Sequence, residues 1–120
     1  DHAVSAFLED VHERGLSDKI LLVVTGEMGR TPRLNNNGGR DHYGELTPLL
    51  MAGGGLKKGA VAGGTDEFGF SPNEKIEIYD IQATLLHLLG IDHLKLTHRF
   101  QGRDFRLTDV HGRVLKQLLA

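Results

Sequence analysis

Four side chains carry most of the chemical potential of this sequence: the carboxylate of Glu27, the guanidinium groups of Arg30 and Arg40, and the imidazole of His42. A carboxylate can ligate a divalent cation or act as a general base. Arginine grips a phosphate or sulfate through two parallel N–H donors. An imidazole can ligate a metal through one ring nitrogen while a carboxylate such as Asp41 orients the other, or it can protonate a leaving oxygen. For Glu27 and Arg30 the plainer alternative is that they pair with each other or cap nearby backbone.

These residues sit in two polar stretches that the rest of the chain must bring together. The first is Val23-Val24-Thr25-Gly26-Glu27-Met28-Gly29-Arg30-Thr31-Pro32, and the second Asn35-Asn36-Asn37-Gly38-Gly39-Arg40-Asp41-His42-Tyr43-Gly44. Ile20 to Val24 is a non-alternating apolar run, as expected of a strand covered on both faces that delivers polar groups to a cleft at its carboxyl end. Before it, Val4, Phe7, Leu8 and Val11 recur with helical spacing, predicting an amphipathic helix over about residues 2–14. Gly15 can end that helix in the left-handed conformation, with Leu16 folding back. Residues 25–44 read as loop. Leu46 to Ala52 predicts a second strand, placed at an edge or started by Pro48. Ala60-Val61-Ala62 suggests a third, and Ile76 to Tyr79 a brief extended segment. Asp80 as N-cap, a stripe of Ile81, Leu85, Leu88 and Leu89, and Gly90 as terminator predict a second helix. From His93 to Val110 the sequence is polar and basic without clear periodicity. Val114 to Leu119 reads as a short helix or a terminal strand.

Bulk properties narrow the classes. The chain has 120 residues, 39% hydrophobic and 25% charged, with a formal net charge of −2. That gives no electrostatic case for nucleic acid or an anionic membrane surface. With no cysteine, disulfides and thiolate metal sites are excluded. No apolar run approaches the roughly 20 residues of a spanning helix. Gly53-Gly54-Gly55 before Lys57-Lys58 departs from the phosphate-loop order and reads as a flexible turn. Gly63-Gly64-Thr65-Asp66-Glu67 reads as a solvated loop, with a cation site as the alternative. The seven histidines include no H-E-x-x-H pair. The tail carries Arg99, Arg103, Arg106 and Arg113, but Phe100 and Phe105 stand alone rather than forming a stacking platform. Ser5, Ser17 and Ser71 lie in contexts that do not suggest a nucleophile.

Read as a series, several motifs resemble a known family: Gly26-Glu27-Met28-Gly29-Arg30-Thr31-Pro32, Gly39-Arg40-Asp41-His42, Leu49-Leu50-Met51-Ala52-Gly53-Gly54-Gly55, Thr65-Asp66-Glu67-Phe68-Gly69, Asp80 to Gly90, and Phe100-Gln101-Gly102-Arg103-Asp104-Phe105. They are similar to the C-terminal part of the bacterial domain of unknown function 1501 proteins, a sulfatase-like branch of the alkaline phosphatase superfamily. The resemblance runs over essentially the whole chain. It implies an α/β fold, the C-terminal portion of a three-layer domain with a mixed sheet flanked by helices and long Gly-rich loops. In true sulfatases a strand ends in a Ser-Asp-His-Gly type motif that ligates metal. Glu27 can stand in for its aspartate, whereas Met28 cannot replace its histidine for a hard cation.

The resemblance implies a metal-dependent hydrolase of sulfate or phosphate esters. Glu27 and His42 would be ligands of a divalent metal (Zn, Ca, Mg or Mn), Arg30 and Arg40 would bind the substrate anion, and His42 and Arg30 would be catalytic. The substrate would be a sulfated or phosphorylated small molecule or polysaccharide. Relatives suggest an exported or periplasmic setting by analogy alone. The nucleophile and remaining ligands are expected in an upstream half of the same domain, because the strands visible here are too few to close a sheet. Residues 1–120 alone are therefore not expected to turn over substrate. The rival expectation is a catalytically inactive binding or structural protein on the same fold, and a third is an independently folded scaffold.

Overall fold

Helix α1 (His2–Glu13) forms where the apolar stripe predicts it and buries Val11. Gly15, at φ 67°, terminates it. The amide of Leu16 reaches back to the Val11 carbonyl (2.9 Å) and that of Gly15 to His12 (3.0 Å), the paired bonds of a glycine-ended helix. The chain turns through Ser17 and enters strand β1 (Leu21–Thr25). The computed structural model describes residues 2–120.

Strand β1 pairs with a later strand, β4 (Leu49–Gly53), in antiparallel register from Leu21 opposite Gly53 to Thr25 opposite Leu49. Pro48, which has no amide to donate, stands just before β4 and starts it. Gly53 ends the strand at φ 83°. An added Cβ there would strike the carbonyl oxygens of Ile20 and Ser17, so this close crossing of the α1–β1 turn tolerates only glycine. Between β1 and β4 the chain forms a small ribbon, β2 (Gly29–Arg30) with β3 (His42–Tyr43).

Helix α2 (Ile78–Leu88) begins earlier than expected. Its N-cap is Glu77 rather than Asp80; Asp80 instead occupies the third helical position and accepts the Glu77 amide at 3.2 Å. Gly90 ends the helix with the same pair of reaching bonds seen at Gly15. The basic segment then folds as a hairpin, β5 (Thr97–Phe100) and β6 (Arg103–Arg106). Its turn residues Gln101 and Gly102 both have positive φ, the conformation whose twist suits a two-residue hairpin turn. Residues 60–62 form no strand and Lys116–Leu118 form one 3-10 turn.

The tail is sewn onto α2. Asp80 accepts the Arg113 amide at 2.9 Å, and Thr84, one turn on, accepts the Leu115 amide at 2.9 Å while its hydroxyl donates to the Asp80 carbonyl at 2.7 Å. Buried His93 meets the Thr108 hydroxyl at 3.0 Å. Beyond α2 the tail reaches the end of β4, where the Lys57 amide donates to Leu118 and the Ala120 amide to Gly55.

The described residues form a mixed α/β fold of two helices and three two-stranded antiparallel sheets. The single mixed sheet expected from the sequence is replaced, among the described residues, by these separate pairs. The reason is topological: the loops after β1 and β4 return on themselves and never deliver a strand parallel to β1. Strand β1 is correspondingly half buried rather than covered on both faces.

Candidate functional site

The two polar stretches meet. In the β2–β3 ribbon Arg30 lies directly opposite His42 and Gly29 opposite Tyr43. Opposed residues of an antiparallel pair share a face at close Cβ spacing. Arg30 and His42 therefore share one face of the ribbon, both exposed. The pairing continues one step past the ribbon: the Thr31 amide donates to the Asp41 carbonyl (3.0 Å), and the Asp41 amide to the Thr31 hydroxyl oxygen (3.1 Å).

Arg40 holds this arrangement. Its Nη1 donates to the carbonyls of Thr31 (2.9 Å) and Pro32 (2.7 Å), while Arg30 Nη1 approaches the Arg40 carbonyl at 3.4 Å. The two arginines thus clasp each other's loop backbone. Asn35 ties the far end: its amide donates to Asp41 Oδ1 (2.9 Å), and its side-chain oxygen accepts the amides of Asn37 and Gly39. This local knot is why an Asn- and Gly-rich stretch holds one conformation instead of fraying.

A third loop braces the ribbon from behind. Tyr43, next to His42 and so directed to the opposite face, donates its hydroxyl to the Phe70 carbonyl at 2.6 Å. The rings of Tyr43 and Phe70 meet edge to face, with centroids 6.2 Å apart. Within that loop Asp66 accepts the backbone amides of Phe68 (3.2 Å), Phe70 (2.9 Å) and Ser71 (3.1 Å). The Phe70 amide first, then those of Ser71, Gly69 and Phe68, hold the Asp66 carboxyl below its ordinary value. Its oxygens are thereby committed to organising the loop, which favours the solvated-loop reading of Gly63 to Glu67 over a cation site. Gly29 completes the packing. It is buried, and an added Cβ would fall onto the Leu46 carbonyl oxygen.

Glu27 lies exposed in the bend between β1 and β2, without a hydrogen bond or ion pair among the described residues. No three His, Asp or Glu side chains gather to hold a metal ion among the described residues. Glu27 and His42 are two donors, short of the three protein ligands of a typical catalytic zinc site, so the residues present do not by themselves make a metal centre. The site is an open ribbon face rather than a cleft. Two cavities lie away from the ribbon, one between α1 and the β1–β4 pair, the other beside Asp80 and Arg113. Sequence reasoning missed the Asn35 knot, the Arg40 clasp, the Tyr43–Phe70 brace and the close approach at Gly29. Of these only the Asn-Gly-Gly run left a signal, as a run of turn-forming residues.

An α/β chain that carries an arginine and a histidine opposite each other on a small ribbon, with a second arginine and an acid on the flanking loops, is the class of protein that the fold and site define. The particular family is one without an assigned activity. Residues 1–119 match the family described as "Protein of unknown function (DUF1501)", and the chain belongs to it. No curated protein and no solved structure matches the chain. No helix among the described residues is long and apolar enough to cross a membrane.

Proposed function

We propose that these residues form the oxyanion-holding part of a sulfatase-like domain of the alkaline phosphatase superfamily, acting on a sulfate or phosphate ester. The observation that carries this reading is the cross-strand register of Arg30 with His42. Arg30 offers N–H donors to the ester oxyanion. His42, its cross-strand partner, protonates the leaving oxygen in this reading. Arg40 spends Nη1 on two carbonyls and keeps its other donors for the anion. Glu27 is the residue for a base or a metal donor on the adjacent bend. These residues supply no attacking group.

A second reading, an inactive binding or structural protein on the same fold, draws support from the incomplete metal-donor set. One titration series separates them. Calorimetry with inorganic sulfate and phosphate is expected to show binding that Arg30→Gln weakens by about tenfold or more. Arg40→Lys keeps the charge but loses the fork, so it is expected to loosen the loop 31–41 amides in hydrogen exchange as well as weaken the anion. Metal analysis of purified protein then decides between readings: a stoichiometric divalent ion lost on Glu27→Ala or His42→Ala favours the hydrolase. Absence of anion binding to the unsubstituted chain ends both the hydrolase reading and its oxyanion site.

A further inference from the structure

The acidic balance of the chain is unevenly spread. Its formal net charge is −2, yet residues 94–110 carry Lys95, Arg99, Arg103 and Arg106 against Asp104 and Asp109, a local net charge of +2. The same stretch holds six of the fourteen large apolar side chains exposed among the described residues: Leu94, Leu96, Phe100, Phe105, Leu107 and Val110. Exposed apolar side chains scattered singly are ordinary. Gathered in one place they mark a surface that meets a protein or a membrane.

Most of them belong to the β5–β6 ribbon. Seven of its eight strand residues are exposed and Arg106 is half-buried, so neither face of the ribbon is closed over. The register sets His98 opposite Phe105 and Phe100 opposite Arg103. Alternation along each strand puts these four on one face, and Thr97, Arg99, Asp104 and Arg106 on the other. Phe100 and Phe105, 55% and 39% exposed, are therefore diagonal neighbours on one face and do not stand alone as the sequence suggested. Just outside the ladder the same alternation adds Leu96 and Leu107, 41% and 65% exposed. The ribbon is thus amphipathic, with two phenylalanines and two leucines on one side and only polar residues on the other.

Its cations border the apolar face. The guanidinium carbon of Arg103 lies 4.8 Å from the centroid of the Phe105 ring, so its stem crosses apolar surface while its charge stays in water. Arg99 meets Asp104 and Arg103 meets Asp109, each at 3.8 Å, and Lys95 meets Asp92 at 3.4 Å. All six of these side chains are exposed, and exposed pairs are weak. The field around the ribbon remains that of its excess cations.

We propose that the β5–β6 ribbon lays its Phe100–Phe105 face onto an anionic lipid bilayer, with Leu96, Phe100, Phe105 and Leu107 entering the headgroup boundary and the arginines meeting lipid phosphates. An element that lies in a membrane interface combines an apolar face, aromatic rings and bordering cations, and this ribbon has all three. A single-stranded nucleic acid would stack on the two phenylalanines but leave Leu96 and Leu107 bare. Such a ribbon lies on the membrane and needs no spanning helix. Its contact is independent of any ester chemistry at the β2–β3 ribbon.

Vesicle flotation of the purified protein is the test. Binding to vesicles of mixed phosphatidylglycerol and phosphatidylcholine is expected to be about tenfold stronger than to phosphatidylcholine alone, and high salt is expected to remove the difference. Phe100→Ser combined with Leu107→Ser is expected to weaken binding by about tenfold or more. Val61→Ser, at an 88% exposed position outside the ribbon, is expected to leave it unchanged. If the double serine variant loses the hairpin, Phe100→Trp keeps an aromatic ring and reports on the same face. The indole emission of that variant is expected to shift to the blue on the mixed vesicles and to be quenched by brominated acyl chains. Free glycerol phosphate and a single-stranded oligonucleotide are expected to leave it unchanged. Equal binding to both kinds of vesicle, no binding, or an indole that stays in water on bound vesicles would overturn the proposal. So would an oligonucleotide that shifts the emission and displaces the vesicles, since the face is then a nucleic-acid platform.

Discussion

Tyr43 donates its phenolic proton to the Phe70 carbonyl at 2.6 Å, linking a residue beside His42 to a loop far along the sequence. Removing the hydroxyl while keeping the ring isolates that bond. Tyr43→Phe is expected to cost about 1 kcal/mol, the net value of one hydrogen bond, because the edge-to-face ring contact survives. Chemical denaturation measures the loss, and faster amide exchange at Phe70 and Ser71 locates it. An unchanged exchange pattern would mean that the loop holds itself without the ribbon.

Asp66 makes that same loop sensitive to acid. Amide donors, the Phe70 N–H foremost, favour its ionised form in the folded chain. The unfolded chain therefore binds the proton more readily, and the loop is fully supported only above the ordinary aspartate value, near pH 4. As pH falls through the lower folded value, support is lost. Asp66→Asn is expected to lower the protection factors of the Phe68 to Ser71 amides, taken against the intrinsic exchange rate at each pH, and to remove the loss of that protection below about pH 4. Persistence of that dependence in the variant would assign it to another group.

Asp80 is the corresponding point for the tail. Burial pushes its carboxyl up, but the amides of Arg113 and Glu77 and the Arg113 guanidinium outweigh that and hold it below the usual range. Only 8% of Asp80 is exposed. Asp80→Ala would leave the Glu77 and Arg113 amides without their acceptor at a buried junction, for an expected loss of about 2–3 kcal/mol. The sign with pH follows that of Asp66: the contribution is present above the ordinary aspartate value and disappears as pH falls through the lower folded one. Thermal melts of the wild type and variant should converge toward low pH. Parallel curves across the acid range would show that the carboxylate charge contributes nothing.

The sequence announced those features whose causes are local. Gly15 and Gly90 end their helices because a left-handed residue is needed there, and Pro48 starts β4 because it cannot donate. The β5–β6 hairpin was not legible. His98, Arg99, Arg103 and Arg106 mask any alternation, and the positive φ of Gln101 is not a glutamine preference. Asp80 looks like an N-cap, yet its carboxylate serves the Glu77 amide and the distant Arg113 amide at once, a role set by the tail. At the site, the sequence suggested that a turn centred on Glu27 meets one centred on His42; the structure sets Arg30 opposite His42, while Glu27 stays exposed on the bend before β2. The Arg40 clasp left no trace, because a bond to a backbone carbonyl carries no partner in the sequence.

Gly29 offers the most direct test that backbone packing sets the site geometry. It is buried opposite Tyr43, and a methyl group there would occupy the Leu46 carbonyl oxygen. Backbone cannot give way as a flexible side chain does, so β2 would have to move off the Leu46 segment. Gly29→Ala is expected to destabilise by about 2–3 kcal/mol, in the upper range for overpacking. Since Arg30 is the next residue, the same displacement should pull it out of register with His42. Nuclear Overhauser contacts between Arg30 and His42 protons should weaken, and affinity for inorganic sulfate should fall with them. An alanine variant with full stability and an intact Arg30–His42 contact would show that β2 can shift without disturbing the ribbon face.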